Sequence, residues 1–426
     1  ASSLPAENSM RFLPALLAAV AAAALSQAAV AAEAPLTLRE AQRLAVERSQ
    51  SLHGQDLAAG AAREMALAAG RYPDPVLSVG VQNVPIEGGD KFDLSAQAMT
   101  MTRVALAQRL TRGDKLELRA ERYELEARKV LAERQATLAA IQREVALAWL
   151  DAWYAEAMAA VLAEQRLLGL QEVEAGEAEY RAGRGAQAAV LMAHSRLALL
   201  DDRAADLERR VATARTMLAR WMGEGSGRAL SGKPDIATID LDAHGLQSAL
   251  ATHPQIEALE RQREIAATEA RLARAERTPD WSVEVAYGER SSRFGDMFSV
   301  GVSIPVPWDR ANRQDRELAA RLALAERAEA LREEALRQHV AEVQALVQQW
   351  ESNRTRLARY EREIIPLAAG RAGAAVAAYR GGKARQGEVL AAHREELQAR
   401  LQALQLEAET ARLWAQLAYL VPEEGK

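Results

Sequence analysis

His194 and His393 stand about 200 positions apart in matching surroundings, Val190-Leu-Met-Ala-His194 and Val389-Leu-Ala-Ala-His393. Imidazole binds transition metals and titrates near neutral pH; on a long charged helix it also serves as plain surface. Met99 and Met101 offer thioethers, soft donors that suit Cu(I), or they simply fill a strand. These four side chains are the candidates for metal contact, and they make no firm metal site. Two basic turns form a second group. Tyr180, Arg181, Gly183 and Arg184 lie in one; Tyr379, Arg380, Gly382 and Lys383 lie in the other, with Glu388 close behind. Glycine permits the left-handed geometry that reverses a chain between helices. Arg and Lys there either favour a helix C-terminus or stand ready to pair with carboxylates elsewhere. The chain has no cysteine and only 6 histidines. That excludes a disulfide scaffold, a cysteine nucleophile, a Cys-ligated zinc or iron–sulfur site and a lipidated N-terminal cysteine. With no HExxH motif and no nucleophile–base pair, the chain does not read as an enzyme, and no cofactor is expected.

The elements that must position these residues come in two copies. Arg71-Tyr-Pro-Asp-Pro-Val-Leu-Ser-Val79 resembles Arg277-Thr-Pro-Asp-Trp-Ser-Val-Glu-Val285, and Tyr180-Arg-Ala-Gly183 resembles Tyr379-Arg-Gly-Gly382. With the histidine segments, that makes three ordered matches at one spacing, the signature of an internal duplication. Proline is absent from 86 to 233 and from 308 to 365. A helix-interior proline costs about 3 kcal/mol, so these windows are where long helices are permitted. A helix over 112–180 would run roughly 100 Å. Its apolar residues form two seams, Leu138, Ile141, Val145, Ala148, Ala152 and Leu147, Leu150, Tyr154, Ala157, Val161. A two-stranded coiled coil needs one seam; two suggest a helix packed between two neighbours. Pro366, Gly370 and Gly373 predict a kink in the second long helix.

Between the helices, Leu77, Val79 and Val81 alternate with Ser78, Gly80 and Gln82. Trp281, Val283, Val285 and Tyr287 alternate with Ser282, Glu284 and Ala286, and Phe298, Val300 and Val302 with Ser299, Gly301 and Ser303. One apolar face and one small or polar face is the pattern of outer-membrane strands. A fourth strand is expected over about Phe92–Gln108. Four strands cannot close a barrel, and lipid does not tolerate an open edge, so several chains must share one barrel; three chains would give twelve strands. Met10-Arg11, the apolar run Phe12–Leu25 and Ala29-Val30-Ala31 fit an export signal with its cleavage site. Beyond it no run approaches 18 consecutive apolar residues. Hydrophobic residues make up 49%, charged residues 27% and the formal net charge is −5, which argues against a basic nucleic-acid-binding domain.

The reading divides the chain into an extension and signal peptide (1–32), a first repeat (33–222), a linker (223–245), a second repeat (246–420) and a tail (421–426). The first repeat holds a helix, a hairpin at about 75–108, a long helix at about 112–180 and a helix at about 186–221. The second holds a helix, a hairpin at about 281–304, a long helix at about 308–379 and a helix at about 385–420.

This plan, with Tyr-Arg-x-Gly ahead of Val-Leu in each half and Pro-Asp before strands one and three, resembles the TolC family of outer-membrane efflux ducts across the mature chain. The resemblance implies a mainly α fold with membrane β: a duplicated long-helix α-barrel, and four strands per protomer in a twelve-stranded barrel. It implies a homotrimer in outer-membrane lipid with a periplasmic tunnel, and a mixed equatorial belt from Gly223–Gly245 and the tail after Leu420. It further implies a periplasmic adaptor (membrane fusion protein) docked at the two basic tips, an inner-membrane RND pump supplying energy, and no nucleic-acid partner. Such ducts carry acidic rings near the tip. Glu388 matches one such position, but its first-half counterpart is Ala189 and the second acidic position is Ala391. Arg181, Arg380, Tyr379 and Glu388 are the candidates for the gate. In a trimer, His194 and His393 would place six imidazoles at one level. Ala98-Met-Thr-Met-Thr-Arg-Val104 resembles metal-efflux members of the CzcC and CusC type, implying heavy-metal cations as cargo. The absence of cysteine departs from the lipoprotein copper members and favours the cobalt–zinc–cadmium type. A duct of the same fold for organic compounds or type I protein secretion, and a periplasmic structural coiled-coil protein, are the alternatives.

Overall fold

The computed structural model describes residues 34–223, 225–239 and 246–422. The signal segment, Gly225's neighbour 224, residues 240–245 of the linker and the last four residues of the tail lie outside the described residues. In chain order the elements are α1 (Leu38–Glu47), α2 (Gln50–Ala69), β1 (Val76–Gln82), β2 (Met101–Leu110), α3 (Gly113–Arg181) and α4 (Gln187–Met222). There follow α5 (Leu246–Ala251), α6 (Pro254–Glu276), β3 (Trp281–Arg290), β4 (Met297–Ser303), α7 (Gln314–Arg359), α8 (Ile365–Arg380) and α9 (Gln386–Ala418). Contacts group these into two compact units, one holding residues up to Arg48, Val145–Ile236 and Leu357–Ala408, the other Ser49–Glu144, Ala237–Arg356 and the residues from Glu409 on.

The second unit carries the sheet, antiparallel throughout in the order β1-β2-β3-β4. Register aligns Val79, Val104, Tyr287 and Phe298 in one row, and Leu77, Leu106, Val285 and Val300 in the next. Directly opposite residues share a face, so this face is apolar. The rows between them read Ser78, Ala105, Ala286, Ser299 and Gly80, Arg103, Gly288, Met297. The apolar face is bare: Val79 is 68% and Phe298 70% exposed. Beneath the sheet, Lys115 in the first turn of α3 is buried. Its ammonium donates to the Thr278 carbonyl at 2.7 Å and Asp280 at 2.8 Å, and lies 3.1 Å from Glu276. A core of Leu250, Val343, Trp350, Leu417 and Leu420 closes this unit's helical part.

The second strand differs from expectation. It starts at Met101, not near Phe92, because residues 83–100 satisfy their backbone locally. Phe92 adopts φ 59° and donates its amide to the Pro85 carbonyl at 2.8 Å. The Asp93 carboxylate accepts from the Ser95 amide and hydroxyl. Asn83 and Thr100 tie the loop ends together through the Met99 and Asn83 carbonyls. The parity of Phe92, Leu94, Ala96 and Ala98 is therefore that of a loop.

In the first unit, Trp149 is fully buried, stacks on Trp153 at 5.3 Å and donates to the Leu36 carbonyl at 3.2 Å. Leu36 forms a parallel bridge with Leu230. Arg228 fixes this segment by donating to Glu40 and to the Ala34 carbonyl, and its guanidinium holds the Glu40 carboxyl below the usual range. α3 is continuous over 69 residues. It holds an 18-residue window of mean hydropathy 1.3, apolar enough by composition to cross a bilayer, yet half of that window is buried within the protein, as in a core helix. The second long helix is interrupted by a π-helical turn at Tyr360–Ile364. Pro366 stands two positions beyond its end. A proline lacks the amide for an i→i−4 bond and its ring crowds that carbonyl, and a widened turn accommodates both defects. Gly370 and Gly373 lie inside α8 without a break.

Candidate functional site

The two basic turns have one geometry. After α3, the Arg184 amide donates to the Glu179 carbonyl at 2.9 Å and the Gly183 amide to Tyr180 at 3.0 Å. After α8, the Lys383 amide donates to Ala378 at 2.8 Å and the Gly382 amide to Tyr379 at 3.0 Å. Gly183 and Gly382 have φ 71° and 70°. This is the Schellman arrangement, in which a left-handed glycine lets two amides cap the helix end. Tyr180 and Tyr379 are exposed, as are Arg181, Arg184, Arg380 and Lys383. Arg181 bonds back to the Glu177 carbonyl and lies 4.0 Å from its carboxylate. Glu388 is exposed in the first turn of α9, where a carboxylate complements the helix dipole. Among the described residues no ion pair joins Glu388 to Arg181 or Arg380.

The two histidines have separate partners. His194 lies 3.3 Å from Glu177, across the turn on α3. His393 lies 3.6 Å from Glu396, on its own helix. Met101 is on the polar sheet face; its sulfur occupies the place of a side chain at Gly288, where a Cβ would lie 2.6 Å away. Met99 lies in the loop before β2 and is exposed. Among the described residues, no group of three or more His, Cys, Asp or Glu side chains converges as a metal site.

Two features escaped sequence reasoning. Glu172 on α3 accepts from Arg394 of α9 at 3.0 Å and lies 3.8 Å from Arg196 of α4. In the second repeat the corresponding pair is Arg371 with Glu395, at 2.6 Å. The ion pair is duplicated with its charges exchanged, so a search for repeated residue types passes over it. The other feature is the charge on the polar sheet face. Arg103 pairs with Glu284, and Arg290 donates to the Ala98 carbonyl at 3.1 Å. Arg109 and Arg290 lie where β2 and β3 extend beyond the strand segments that alternation outlined.

Residues 245–421 match the family described as outer membrane efflux protein. No curated protein matches the chain. Solved structures are similar over nearly its whole length. The outer-membrane channel OprN is 21% identical with a TM-score of 0.74, covering 90% of each chain. CusC is 18% identical with a TM-score of 0.73, covering 90% of this chain and 91% of that one. The Campylobacter jejuni CmeC outer membrane channel is 10% identical with a TM-score of 0.75, covering 91% and 87%.

Proposed function

From a second half that matches the outer membrane efflux protein family and a whole chain with the fold of solved outer-membrane channels, we propose that the protein is the outer-membrane duct of a tripartite efflux system. The observation that carries this reading is the four-stranded sheet, with one apolar face bare to its surroundings and two unpaired edges, β1 and β4. Such edges in lipid leave backbone groups unsatisfied. A second and third copy would cover them and close twelve strands around the polar face.

The duplication specifies how the copies meet. Val79 corresponds to Val285, and their partners Val104 and Val300 correspond in turn, so Leu106 corresponds to Val302. Within the chain β2 pairs with β3 through Leu106 and Val285. The same pairing between copies sets Val302 of β4 opposite Val79 of the next β1. Ser303 then meets Ser78, and apolar and polar faces both continue unbroken.

The duct performs no bond chemistry. Energy would come from an inner-membrane RND pump, and the matching basic tips would dock a periplasmic adaptor through its carboxylates. Heavy-metal cations are the cargo favoured by the Met99–Met101 segment and the paired histidines. Any gate formed by Arg181, Arg380, Tyr379 and Glu388 would act between copies, since these residues make no ion pair with one another within the described residues of one.

The test uses the natural absence of cysteine. In the Val79→Cys, Val302→Cys variant a disulfide within one chain is excluded, because two intervening strands hold β1 and β4 roughly 14 Å apart and a disulfide needs Cα atoms within about 7 Å. Oxidised outer membranes should yield a covalent trimer on denaturing gels. A chain that remains a monomer there, while the single-cysteine variants are labelled normally, sinks the reading.

A further inference from the structure

The polar face of the sheet carries a charge imbalance opposite to that of the whole chain. The chain is acidic, with a net charge of −5. On this face, alternation brings together Arg103, Arg109, Arg290 and a single carboxylate, Glu284. Register sets Arg103 opposite Gly288, Arg109 opposite Ser282, Arg290 opposite Met101 and Glu284 opposite Ala107. The remaining positions on β1 and β4 are small or neutral, such as Ser78, Gly80, Ser299 and Gly301.

The pairing locates the imbalance. Glu284 is taken by Arg103. The Arg290 guanidinium donates to the Ala98 and Gly295 carbonyl oxygens, and Asp296, which accepts its backbone amide at 3.1 Å, lies within reach of its charge. Arg109 is exposed at the end of β2 next to the helices, and among the described residues it has no carboxylate partner. Each copy therefore presents one uncompensated guanidinium group, that of Arg109, and arginine keeps its charge at every working pH. The acidic side chains of the hairpin loops, Glu87, Asp90, Asp93 and Asp296, are in open water. Lys91, Arg290 and Arg293 stand among them, and exposed charges are screened within about 8–10 Å. A confined lumen with low-dielectric walls screens less and focuses the field of one sign.

We propose that the membrane-spanning lumen of the assembled duct favours anions, and that Arg109, at its inner mouth, is a residue that sets this preference. The proposal rests on the shared-barrel reading, with the polar face turned inward. A metal ion would then cross this segment most readily as a neutral or anionic complex rather than as a bare cation.

Full-length purified protein in planar bilayers under a potassium chloride gradient tests this by the sign of the reversal potential. The wild type should favour chloride. Arg109→Gln should move the reversal potential towards potassium, and Arg109→Glu should move it further. Every other part of the chain is the same in all three proteins, so the graded difference reports the lumen. A wild type that conducts but favours potassium, or a reversal potential that Arg109→Glu leaves in place, overturns the charge proposal while leaving the duct intact. A wild type without any conductance overturns the barrel reading and this proposal with it.

Discussion

The Nε2 of His253 lies 2.6 Å from the Leu420 carbonyl oxygen, while its Nδ1 accepts the Gln255 amide at 3.3 Å. One ring nitrogen must donate and the other must accept, so the imidazole is neutral with the proton on Nε2. The ring caps α6 and at the same time secures the chain end beyond α9. Burial, the neighbouring His339 ring at 4.4 Å and the charge of Arg143 push its pKa down to about 4, against the opposing pull of the Leu420 carbonyl. Burial also lowers His339, against the pull of Glu342.

That depression makes stability depend on pH in a defined window. Between pH 6.5 and about 4 the unfolded chain takes up a proton at His253 that the folded chain refuses. Stability is therefore fully present above pH 6.5, declines as pH falls, and levels off below about 4. A shift of this size corresponds to about 3 kcal/mol. Thermal unfolding followed by circular dichroism should show the decline. His253→Asn should be less stable at pH 7.5 and should flatten the curve in this window. A wild-type slope retained in that variant would assign the effect elsewhere.

The charge-exchanged ion pairs should not be equal in strength. Glu172 has a side chain only 12% exposed and serves two arginines. Arg371 and Glu395 are 68% and 51% exposed, in the range where ion pairs contribute about 0–1 kcal/mol. Glu172→Ala should cost about 2 kcal/mol, the size of a lost hydrogen bond to a charged group. Arg371→Ala should cost well under 1 kcal/mol. Urea denaturation of the detergent-purified protein gives both values; equal losses would contradict the assigned difference.

Much of the architecture was legible because it follows from local rules. The proline-free windows permit α3 and α7, and both exist. Period-2 alternation located β1, β3 and β4 to within a few residues. The reversal at Gly183 and Gly382 follows from the only residue at home at positive φ. What escaped depends on distant partners. Phe92 and Leu94 keep strand parity, yet Asn83, Pro85 and Thr100 hold their backbone in a loop. Lys115 is an ordinary surface residue by sequence, and only Thr278 and Asp280 make it a buried one. Glu172 finds Arg394 across 222 positions. The sheet charge was missed because Arg109 and Arg290 fall at strand ends, where alternation fades first.

Gly223 offers a sharp test of a close approach. It ends α4 with φ 73°, and a Cβ there would sit 1.7 Å from Nη1 of Arg48. That guanidinium donates to the Met222 carbonyl at 3.0 Å. Gly223→Ala must both strain a positive-φ backbone with ψ −129° that only glycine adopts readily, at about 1–3 kcal/mol, and expel Arg48 from its bond, at about 1–2 kcal/mol. Adding Arg48→Ala should remove the clash and leave only the strain and the missing bond. The double variant should therefore be no less stable than Gly223→Ala alone in a thermal melt. Losses that simply add would show that the two side chains do not compete for the same space.

Lys115 and Asp280 should prove energetically coupled. The ammonium is 1% exposed and has the Thr278 carbonyl, Asp280 and Glu276 within reach. It thus ties the start of α3 to the Pro-Asp turn that launches β3. Lys115→Met leaves Asp280, itself only 15% exposed, as a carboxylate without its counter-charge. Removing one partner of a buried pair costs about 3–5 kcal/mol, whereas replacing both with neutral groups costs far less. Lys115→Met should therefore lower the urea midpoint strongly. Adding Asp280→Asn should recover a good part of the loss, with a coupling of about 1–3 kcal/mol between the two sites. Because the pair sits where helix meets sheet, the single variant should also weaken the proposed oligomer on mild detergent gels, and the double variant should restore it. Strict additivity of the two substitutions, or an oligomer that survives Lys115→Met untouched, would mean that the sheet is anchored to the helix by packing alone.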